Sequence, residues 1–531
     1  MQSSDLMGNL SSAKRGVRLR RHLWWLAVSL VVLTAWIPPV AGGQCTVTEL
    51  TRIVPSDGAP EDYFGWSVAQ SGDWLLVGAC LDDDRAFGSG SAYLFHQVGS
   101  PGVGSAWSQA QKLTASDGGY FDWYGFSTAI EGEVAVIGAP QGDAPGVPLA
   151  GAAYVCRYDG SVWQEVQKLT ASDAGPSDFL GSALAMADPV IAVGAPYDDD
   201  GGVNAGSAYL FLRDGSAWRQ DQKLVASDVR AHDGFGCAVA VNSDIVLVGA
   251  DQGGPTGQVS GAAYVFRFNG TLWVEEAKLT AGDADPMDQF GYSVATDIDL
   301  AIVGAPFDDE AGENVGAVYV FRCWGATWVE EQKLLPDTSR PDTRFGTAVA
   351  VRDGLLVMGA PGEGETIAGA GAAYLYAEQG GQWVRLRELA ASDAASGDSL
   401  GGAVAIDGSF AAVGASRSDV AGEASGSVYL YSAIRELGLA GEPTVARSGD
   451  SLTFSTFYGD PGDPVALALI DVNGIPAFHF LLFGAFGPDH LWTISGGVGP
   501  GYSGIKATFA SYGITPCGRG GASNAVTITF R

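Results

Sequence analysis

Residues 278–328 read KLTAGDADPMDQFGYSVATDIDLAIVGAPFDDEAGENVGAVYVFRCWGATW and form one period of a unit that recurs along most of the chain. The unit passes an Asp-rich turn to reach Phe290-Gly291, and an apolar run then ends at Gly304-Ala305-Pro306. An acidic loop and a second apolar run, 316–321, complete the period before Trp328 begins the next one. A period of this length indicates a repeat architecture.

The repeat occurs seven times in register. An aromatic-Gly or Leu-Gly step recurs with spacings of 60, 56, 55, 55, 55 and 55 residues, and a Gly-Ala step recurs with the same spacings. The glycines of the first step are Gly65, Gly125, Gly181, Gly236, Gly291, Gly346 and Gly401. The glycines of the second step are Gly78, Gly138, Gly194, Gly249, Gly304, Gly359 and Gly414.

Each unit contains four short runs of strand character separated by turn residues. In the fourth unit these runs are 236–241, 245–250, 261–267 and 273–281. No stretch after residue 43 keeps the 3.6-residue apolar period of a helix. Four strands in each of seven units predict an all-β fold, a seven-bladed β-propeller over residues 44–434.

The phase of the repeats predicts how the ring closes. Residues 48–57 match the segment that joins one unit to the next, with Arg52-Ile53 in place of Lys-Leu. The chain therefore begins with an outermost strand, and its seventh unit ends near Tyr431 without one. We expect residues 47–54 to pair with residues 427–432 and to complete the last blade.

The two ends of the chain differ from the repeats. Residues 435–531 contain short strand-like runs cut by Gly, Pro and Asp, which predicts a small C-terminal β-sandwich domain. Residues 1–43 combine five basic residues with an apolar run at 23–37, which is typical of a secretory signal peptide. An uncleaved membrane anchor is the alternative, but a span needs about 20 apolar residues.

Charge and cysteine content limit the classes of partner. Without residues 1–43 the chain has 24 Lys and Arg against 59 Asp and Glu, so its net charge is −35. Such a charge disfavours nucleic acid and anionic membrane surfaces as partners. Cys80, Cys156, Cys237 and Cys323 fall at different positions of different units, so no disulfide framework recurs. Cys45 and Cys517 lie outside the repeat strands, and their pairing is left open.

The pair Phe290-Gly291 and Gly304-Ala305-Pro306 resembles the FG-GAP repeat of integrin α-chain propellers and of related exported bacterial proteins. The match covers about residues 46–433, although Leu180-Gly181 and Gly249-Ala250-Asp251 depart from it. The resemblance implies a ligand-binding or adhesive β-propeller at the cell surface. Integrin-like units also have a calcium loop between their first two strands. The corresponding turns here, such as 71–73 and 131–133, are short and poor in carboxylates, so we expect no calcium site or other cofactor there.

Acidic clusters occur in the next loop, at 82–84, 198–200 and 308–310. Adjacent carboxylates point in different directions, whereas calcium needs six to eight converging oxygens. We expect solvated turns, with weak calcium binding as the alternative. A second acidic feature is a pair of Asp residues five positions apart, for example Asp117 and Asp122, which recurs in nearly every unit. Its recurrence indicates turn capping.

Because recurrent residues build the ring, departures from the repeat are candidates for function. The strongest departure is the sequence Tyr120-Phe121-Asp122-Trp123 in the loop that enters the second unit. Aromatic rings around a carboxylate suit stacking on sugars or binding a peptide. Local packing of these rings is the alternative.

Catalytic machinery is not recognisable in the sequence. His96, His232, His479 and His490 follow the signal segment, and none belongs to a known Ser/His/Asp, Cys/His or metal-ligand pattern. The sequence favours an exported, non-catalytic binding or adhesion module whose ligand is an extracellular protein or a glycan. A secreted carbohydrate-active enzyme and a structural cell-surface component are the alternatives. We expect the protein to be extracellular, on the cell surface or in the periplasm.

Overall fold

The computed structural model describes most of the repeat region and the backbone of several strands beyond residue 450. In the repeat region it covers residues 49–98, 106–253, 259–325, 327–337, 340–364, 367–379, 381–407 and 410–432. Across these residues the chain forms strands joined by turns, and no helix. The predicted signal peptide at 1–43 lies outside the described residues, and so do positions 47 and 48 of the predicted closing strand.

Seven four-stranded antiparallel sheets form the blades of a β-propeller, as the repeats predict. The strands are β1 (Glu49–Ile53); β2 (Phe64–Ser71), β3 (Trp74–Ala79), β4 (Ser91–Val98), β5 (Ala106–Leu113); β6 (Thr128–Glu131), β7 (Val134–Ala139), β8 (Ala152–Tyr158), β9 (Trp163–Leu169); β10 (Ala183–Ala187), β11 (Val190–Ala195), β12 (Ser207–Asp214), β13 (Ala217–Leu224); β14 (Phe235–Val241), β15 (Ile245–Ala250), β16 (Ala262–Phe268), β17 (Trp273–Leu279); β18 (Ser293–Asp297), β19 (Leu300–Ala305), β20 (Ala317–Trp324), β21 (Thr327–Leu334); β22 (Val349–Arg352), β23 (Leu355–Ala360), β24 (Ala372–Gln379), β25 (Gln382–Leu389); β26 (Ala403–Asp407), β27 (Phe410–Ala415) and β28 (Ser427–Ser432). Blade 1 consists of β2 to β5, blades 2 to 6 follow in fours, and blade 7 consists of β26, β27, β28 and β1.

The burial of each strand follows from its place in the blade. Five of the seven second strands, such as β15, are buried at every residue, and β3 and β27 at all but the first, because each blade packs between two others. Their sequences are correspondingly apolar throughout. Outermost strands, such as β13, are less buried because one of their edges faces solvent, and exposed residues alternate with more buried ones because successive side chains point to opposite faces of the sheet. The hydrophobic core is divided into seven clusters, one at each junction between neighbouring blades.

The two glycines of the repeat meet at the junctions. A Cβ atom at Gly78 of blade 1 would overlap the carbonyl oxygen of Gly125 of blade 2. The same contact occurs at every junction and includes the closing pair, Gly414 of blade 7 and Gly65 of blade 1. Side chains at these positions would push neighbouring blades apart, so the repeat requires glycine at both steps.

The ring closes through its N-terminal strand, as predicted. β1 pairs antiparallel with β28, and the register places Glu49 opposite Tyr431 and Ile53 opposite Val428. Ile53 is buried in the core cluster between blades 7 and 1. The N-terminal strand β1 is therefore the outermost strand of blade 7, which has four strands like the other blades.

Glutamine side chains connect the outermost strands of several neighbouring blades. The Gln111 side chain donates to the carbonyl oxygen of Trp163 (2.7 Å) and accepts from its backbone N–H (2.8 Å). Gln167, Gln222 and Gln332 make the same pair of bonds to Trp218, Trp273 and Trp383. Ala277 takes the glutamine position between blades 4 and 5.

All four cysteines of the described residues are free. Cys80 and Cys156 are buried, as small apolar residues would be, whereas Cys237 and Cys323 are half-buried. Cys45 and Cys517 lie outside the described residues.

Beyond residue 450 the described strands form two antiparallel sheets. β29 (Ser451–Ser455) pairs with β33 (Thr493–Gly497). The second sheet contains β30 (Pro464–Val472), β31 (Ile475–Pro476), β32 (Leu481–Ala485), β34 (Lys506–Ile514), β35 (Gly520–Ala522) and β36 (Val526–Thr529). These strands agree with the predicted β character of residues 435–531, and the β-sandwich stays a prediction.

Candidate functional site

Two sets of loops lie at the same end of the blades and form what we term the loop face. The entry loops join the outermost strand of one blade to the innermost strand of the next, and the 2–3 loops join the second and third strands. Backbone bonds connect the two sets across each junction. For example, the N–H of Phe121 donates to the carbonyl of Phe87 (3.0 Å), and the N–H of Tyr124 donates to that of Ser89 (3.0 Å). The opposite end carries the short first-to-second and third-to-fourth turns, and we term it the turn face.

The second Asp of each recurrent pair caps its entry loop. A side-chain oxygen of each accepts the backbone N–H three residues earlier, at 2.5–2.8 Å; the six residues are Asp62, Asp122, Asp178, Asp233, Asp288 and Asp398. In the sixth unit Thr343 takes this place, and its hydroxyl donates to the carbonyl oxygen of Arg340. The predicted capping role is confirmed for the second Asp of each pair, and it gives the seven entry loops a common shape. It is wrong for the first Asp: Asp117, for example, accepts bonds from the Tyr154 hydroxyl and the Lys168 ammonium.

Two positions flanking the capping residue have left-handed backbone in every blade. The position before the cap has φ between 59° and 90°; it is Glu61, Phe121, Ser177, His232, Met287, Asp342 or Gly397. The position after the cap has φ between 55° and 66°; it is Tyr63, Trp123, Phe179, Gly234, Gln289, Arg344 or Ser399. Left-handed backbone costs a non-glycine residue about 1 kcal/mol. The loops therefore share one strained backbone and differ in the side chains that it carries.

Phe121, one of the four predicted site residues, is exposed and packs against a residue that the sequence analysis did not select. Its ring meets the ring of Phe87 edge to face, with centroids 5.1 Å apart. Phe87 belongs to the 2–3 loop of blade 1 and is 57% exposed, Phe121 is 45% exposed and the adjacent Tyr120 is 76% exposed. These three side chains give the junction of blades 1 and 2 an exposed aromatic surface.

Trp123 belongs to a second group of rings. It stacks on Phe126 with centroids 5.8 Å apart and planes within 14°. Phe126 in turn contacts Trp66 of blade 1 (5.6 Å), and Trp66 contacts Tyr63 (6.1 Å). Trp66 and Phe126 each follow a repeat glycine, so they occupy equivalent places at the starts of the innermost strands. Trp123 is half-buried. The row of rings formed by Tyr63, Trp66, Phe126 and Trp123 is therefore partly packed and partly exposed.

Asp122, the fourth predicted residue, belongs to the loop scaffold. Its Oδ2 accepts the N–H of Gly119 (2.7 Å), and its side chain is half-buried. Burial raises the pKa of this carboxyl, and the nearby Asp143 and Asp117 raise it further. Asp122 therefore does not present an exposed carboxylate between the rings of Phe121 and Trp123.

The acidic clusters are built around lysine ammonium groups, and this corrects the expectation of solvated turns. The first carboxylate of each cluster, Asp82, Asp198 or Asp308, is buried. Asp82 Oδ2 accepts the hydroxyl of Tyr93 (2.8 Å) and lies 2.8 Å from Lys112 Nζ. Lys112 also contacts Asp57 (2.9 Å) and Asp84. Lys223 and Lys333 repeat this arrangement in blades 3 and 5.

These contacts change the acidity of the carboxyl groups in opposite directions. Burial opposes ionisation of Asp57, but the hydrogen bond and charge of Lys112 outweigh it and lower the pKa. Burial dominates at Asp62 and raises its pKa to about 6, and Asp82 contributes in the same direction. Asp288 in blade 5 behaves like Asp62, with a pKa of about 6. Carboxyl groups with shifted pKa values therefore recur at equivalent positions of different blades, which is typical of groups that stabilise the fold.

A small cavity brings together residues that the sequence analysis did not connect. His232, Cys237 and Asp251 line a cavity of about 120 Å³ on the loop face. Cys237 follows the repeat glycine of blade 4, and Asp251 replaces the proline of Gly-Ala-Pro, so both are departures from the repeat. Burial raises the pKa of the Cys237 thiol well above its ordinary value, and the carboxylate of Asp251 adds to this. The thiol is held protonated, unlike a catalytic thiolate.

Within the residues described above, no group of three or more His, Cys, Asp or Glu side chains is placed to hold a metal ion. That part of the chain also has no helix of the length and apolarity that crossing a membrane requires.

Comparison with known proteins identifies the repeat. The sequence pattern described as the FG-GAP repeat matches seven segments, 47–95, 107–156, 163–211, 218–266, 273–321, 328–376 and 383–431. No curated protein matches the chain in sequence. Among solved structures, the β-propeller domain of the Trilobed protease from Pyrococcus furiosus is matched with 9% identity and a TM-score of 0.36, over 66% of this chain and 90% of that one. Each matched segment contains the outermost strand of one blade and the first three strands of the next. The seven segments cover more than half of the 531 residues, so the chain belongs to the FG-GAP repeat family.

Proposed function

We propose that this protein is an exported, non-catalytic binding or adhesion module whose loop face contacts an extracellular protein or a glycan. One observation carries the proposal: Tyr120, Phe121 and Phe87 form an exposed aromatic surface, and Phe121 occupies a left-handed position that the entry loops of all seven blades share. The fold does not require these rings, because Glu61 and Ser177 occupy the position of Phe121 in blades 1 and 3. Exposed aromatic residues that the fold does not need are typical of binding surfaces.

Two further observations support a non-catalytic role and an exported location. The cluster of His232, Cys237 and Asp251 is the best candidate for catalysis, and its thiol has a raised pKa. The raised pKa of Asp62 follows the repeat, because Asp288 shares it. The basic and apolar pattern of residues 1–43 supports export, and the excess of acidic residues disfavours nucleic acid as a partner.

The proposal is tested with the purified protein, a random peptide library displayed on phage and a printed glycan array. Peptides or glycans that bind are then measured against the double variant Tyr120→Ser/Phe121→Ser. The control is Leu272→Ser, which removes an equally exposed apolar side chain from the turn face. We expect the double variant to lose at least about tenfold in affinity, because an aromatic contact contributes on the order of 1 kcal/mol per pair.

Trp123→Ala separates binding from packing. If the row of rings contributes to the site, this variant weakens binding and keeps its melting temperature. A sharp fall in melting temperature with unchanged affinity of the folded fraction would assign Trp123 to packing. Unchanged binding in the double variant, or a glycan or peptide that depends on Leu272, would refute the assignment of the ligand to the loop face.

A further inference from the structure

The cavity on the loop face at the junction of blades 3 and 4 has room for one side chain. Its volume is about 120 Å³, whereas sites that enclose a whole small molecule usually measure about 300–1,000 Å³. Tyr197 and Asn204 line it from blade 3, and Gly234, Cys237 and Asp251 line it from the entry loop and blade 4. The cavity therefore suits the end of a ligand whose remainder lies outside.

Glycine at position 234 opens the cavity. In the other six blades the residue after the cap has a side chain, for example Phe179 in blade 3 and Ser399 in blade 7. A Cβ atom at Gly234 would lie 2.9 Å from Asp251 Oδ1, so the carboxylate stands where that side chain would begin. Asp251 itself replaces the proline of the repeat, which is Pro196 in blade 3. Two departures from the repeat therefore meet in this cavity.

The carboxylate of Asp251 is half-buried and has no cationic partner in the lining. Burial raises its pKa, and the groups that oppose this rise are the Cys237 thiol and the backbone N–H groups of residues 251 and 252. By contrast, the buried carboxylates of the acidic clusters lie beside a lysine, as Asp82 lies beside Lys112. The described residues that line the cavity include no Lys or Arg. A cation that enters it would therefore meet an unpaired carboxylate.

Other blades show which groups this protein uses to bind an ammonium. Five lysines hold Nζ 5.0–5.2 Å from the centroid of a tyrosine ring, and each pairs with an Asp; they are Lys112, Lys168, Lys223, Lys278 and Lys333. The cavity has the same two kinds of group in Tyr197 and Asp251. Tyr197 is 46% exposed, and its ring meets Phe179 edge to face with centroids 5.2 Å apart. Attraction between a cation and an aromatic ring adds to charge pairing.

We propose that this cavity binds the ammonium group of a lysine side chain on an extracellular partner protein. The ammonium donates to the carboxylate of Asp251 and lies against the ring of Tyr197. The side-chain oxygens of Asn204 and Gln252 provide further acceptors in the lining for its three N–H groups. The net charge of −31 favours the approach of a basic partner. The inference rests on the proposed function for a protein ligand at the loop face, but it concerns a different junction from the aromatic surface.

The test uses the full chain and the peptide acetyl-Gly-Lys-Gly-amide. Two comparison peptides have norleucine or Nε-acetyl-lysine in place of lysine and therefore lack the ammonium group. Binding is measured by saturation-transfer NMR and by calorimetry. We expect the lysine peptide to bind at least about tenfold more tightly than either comparison peptide, because charge-assisted hydrogen bonds are the stronger ones. Equal binding of the three peptides, or no binding of the lysine peptide, overturns the proposal.

Removing the charge of Asp251 locates the binding. Asp251→Asn keeps the shape of the side chain and should lower the affinity for the lysine peptide about tenfold. Asp285→Asn is the matched control, because it removes one exposed carboxylate from the entry loop of blade 5, and its affinity should equal that of the native chain. Equal losses in the two variants would indicate general attraction to an acidic surface and would overturn the proposal.

Asp251→Pro keeps the test independent of folding. Proline occupies this position in blades 2, 3, 5 and 6, so this variant should unfold at the same or a higher temperature and still lose affinity for the lysine peptide. Unchanged affinity overturns the proposal. The double variant Tyr120→Ser/Phe121→Ser separates the two sites and should bind the lysine peptide like the native chain. A loss of lysine binding in that variant, with none in Asp251→Asn, overturns this inference and supports the aromatic surface. Lysine binding that depends on Asp251 supports the inference even if the aromatic surface binds nothing.

Discussion

Arg52 of the closing strand pairs with Asp393 of the loop that enters the same blade. This repeats, at the point where the ring closes, the pairing of Lys112 with Asp57 and of Lys168 with Asp117 in blades 1 and 2. A second contact reinforces it, because the backbone N–H of Ser392 donates to Glu49 Oε2 (2.8 Å). The N-terminal strand is therefore attached by the same side-chain chemistry that joins the other blades.

Removing the closing strand should open the ring. A chain that begins at Pro55 loses the pairing of β1 with β28 and exposes the edge of β28. We expect a lower melting temperature and concentration-dependent association, measured by scanning calorimetry and by light scattering after size exclusion. Arg52→Lys is the control, since lysine is the usual residue at this position, and it should leave both properties unchanged. A shortened chain that stays monomeric and melts like the full chain would contradict closure through β1.

Lys112→Met should destabilise blade 1 strongly. The substitution leaves Asp57, Asp82 and Asp84 without their ammonium partner, and Asp82 is buried. Loss of one partner from a buried ion pair costs about 3–5 kcal/mol. In blade 2 the position of Asp82 is Gly142, and Lys168 pairs with the exposed Asp117. Lys168→Met is therefore the matched control, with a loss of about 1 kcal/mol or less, and both are measured by urea denaturation.

The same lysine variant should respond to calcium. Without the ammonium, the three carboxylates around its position become oxygen ligands for a divalent cation. Millimolar calcium chloride is expected to restore part of the stability of Lys112→Met and none of that of Lys168→Met. If calcium has no effect on Lys112→Met, the carboxylates do not converge once the lysine is removed.

The native protein should be insensitive to chelators, because lysine already occupies the centre of each acidic cluster. Thermal unfolding would be compared with excess EDTA and with calcium. A decrease of more than about 5 °C in EDTA, well above the effect of 1 kcal/mol on a chain of this size, would indicate a structural metal site.

The capping carboxyls should give stability an unusual pH dependence. Asp62 and Asp288 have folded pKa values of about 6, above their ordinary value of 3.8. The folded state therefore takes up protons between about pH 4 and 6, and the contribution of these groups to stability falls as the pH rises through that window. Asp62→Asn should stabilise the protein by about 1–3 kcal/mol at pH 7 and have little effect at pH 4.

Asp57→Asn should have the opposite effect. The Lys112 ammonium holds the pKa of Asp57 below its ordinary value despite burial. Its contribution is therefore present at pH 7 and is lost as the pH falls below about 4. Denaturation of both variants at the two pH values provides the comparison, and a loss of stability in Asp62→Asn at pH 7 would show that the charged carboxylate is needed for the cap.

The sequence predicted the propeller well because the glycine motifs that indicate it recur at a nearly constant spacing. The four strands of the fourth unit begin and end within about two residues of their predicted bounds, and the closing strand followed from counting strands in phase. The repeat also contained a pairing that was overlooked: Lys112 lies 55 residues after Asp57, and Lys168 lies 51 residues after Asp117. Each separation is five residues shorter than the local repeat of 60 or 56 residues.

The site was less predictable because it depends on contacts between loops. The exposed rings at Tyr120 and Phe121 were found as a departure from the repeat, but Phe87 was not, because it lies in a different loop. Trp123 and Asp122 were grouped with them by adjacency in sequence, whereas left-handed backbone turns neighbouring side chains in different directions.

The shared backbone of the entry loops has an evolutionary consequence. The residue after each cap is Tyr63, Trp123, Phe179, Gly234, Gln289, Arg344 or Ser399, and all seven have nearly the same φ. An exchange of side chain at one of these positions alters the chemistry of the loop face without moving the strands beneath it. Point mutation and duplication of whole units can therefore diversify recognition while the ring remains intact, and the seven codons define the smallest combinatorial library for retargeting this propeller.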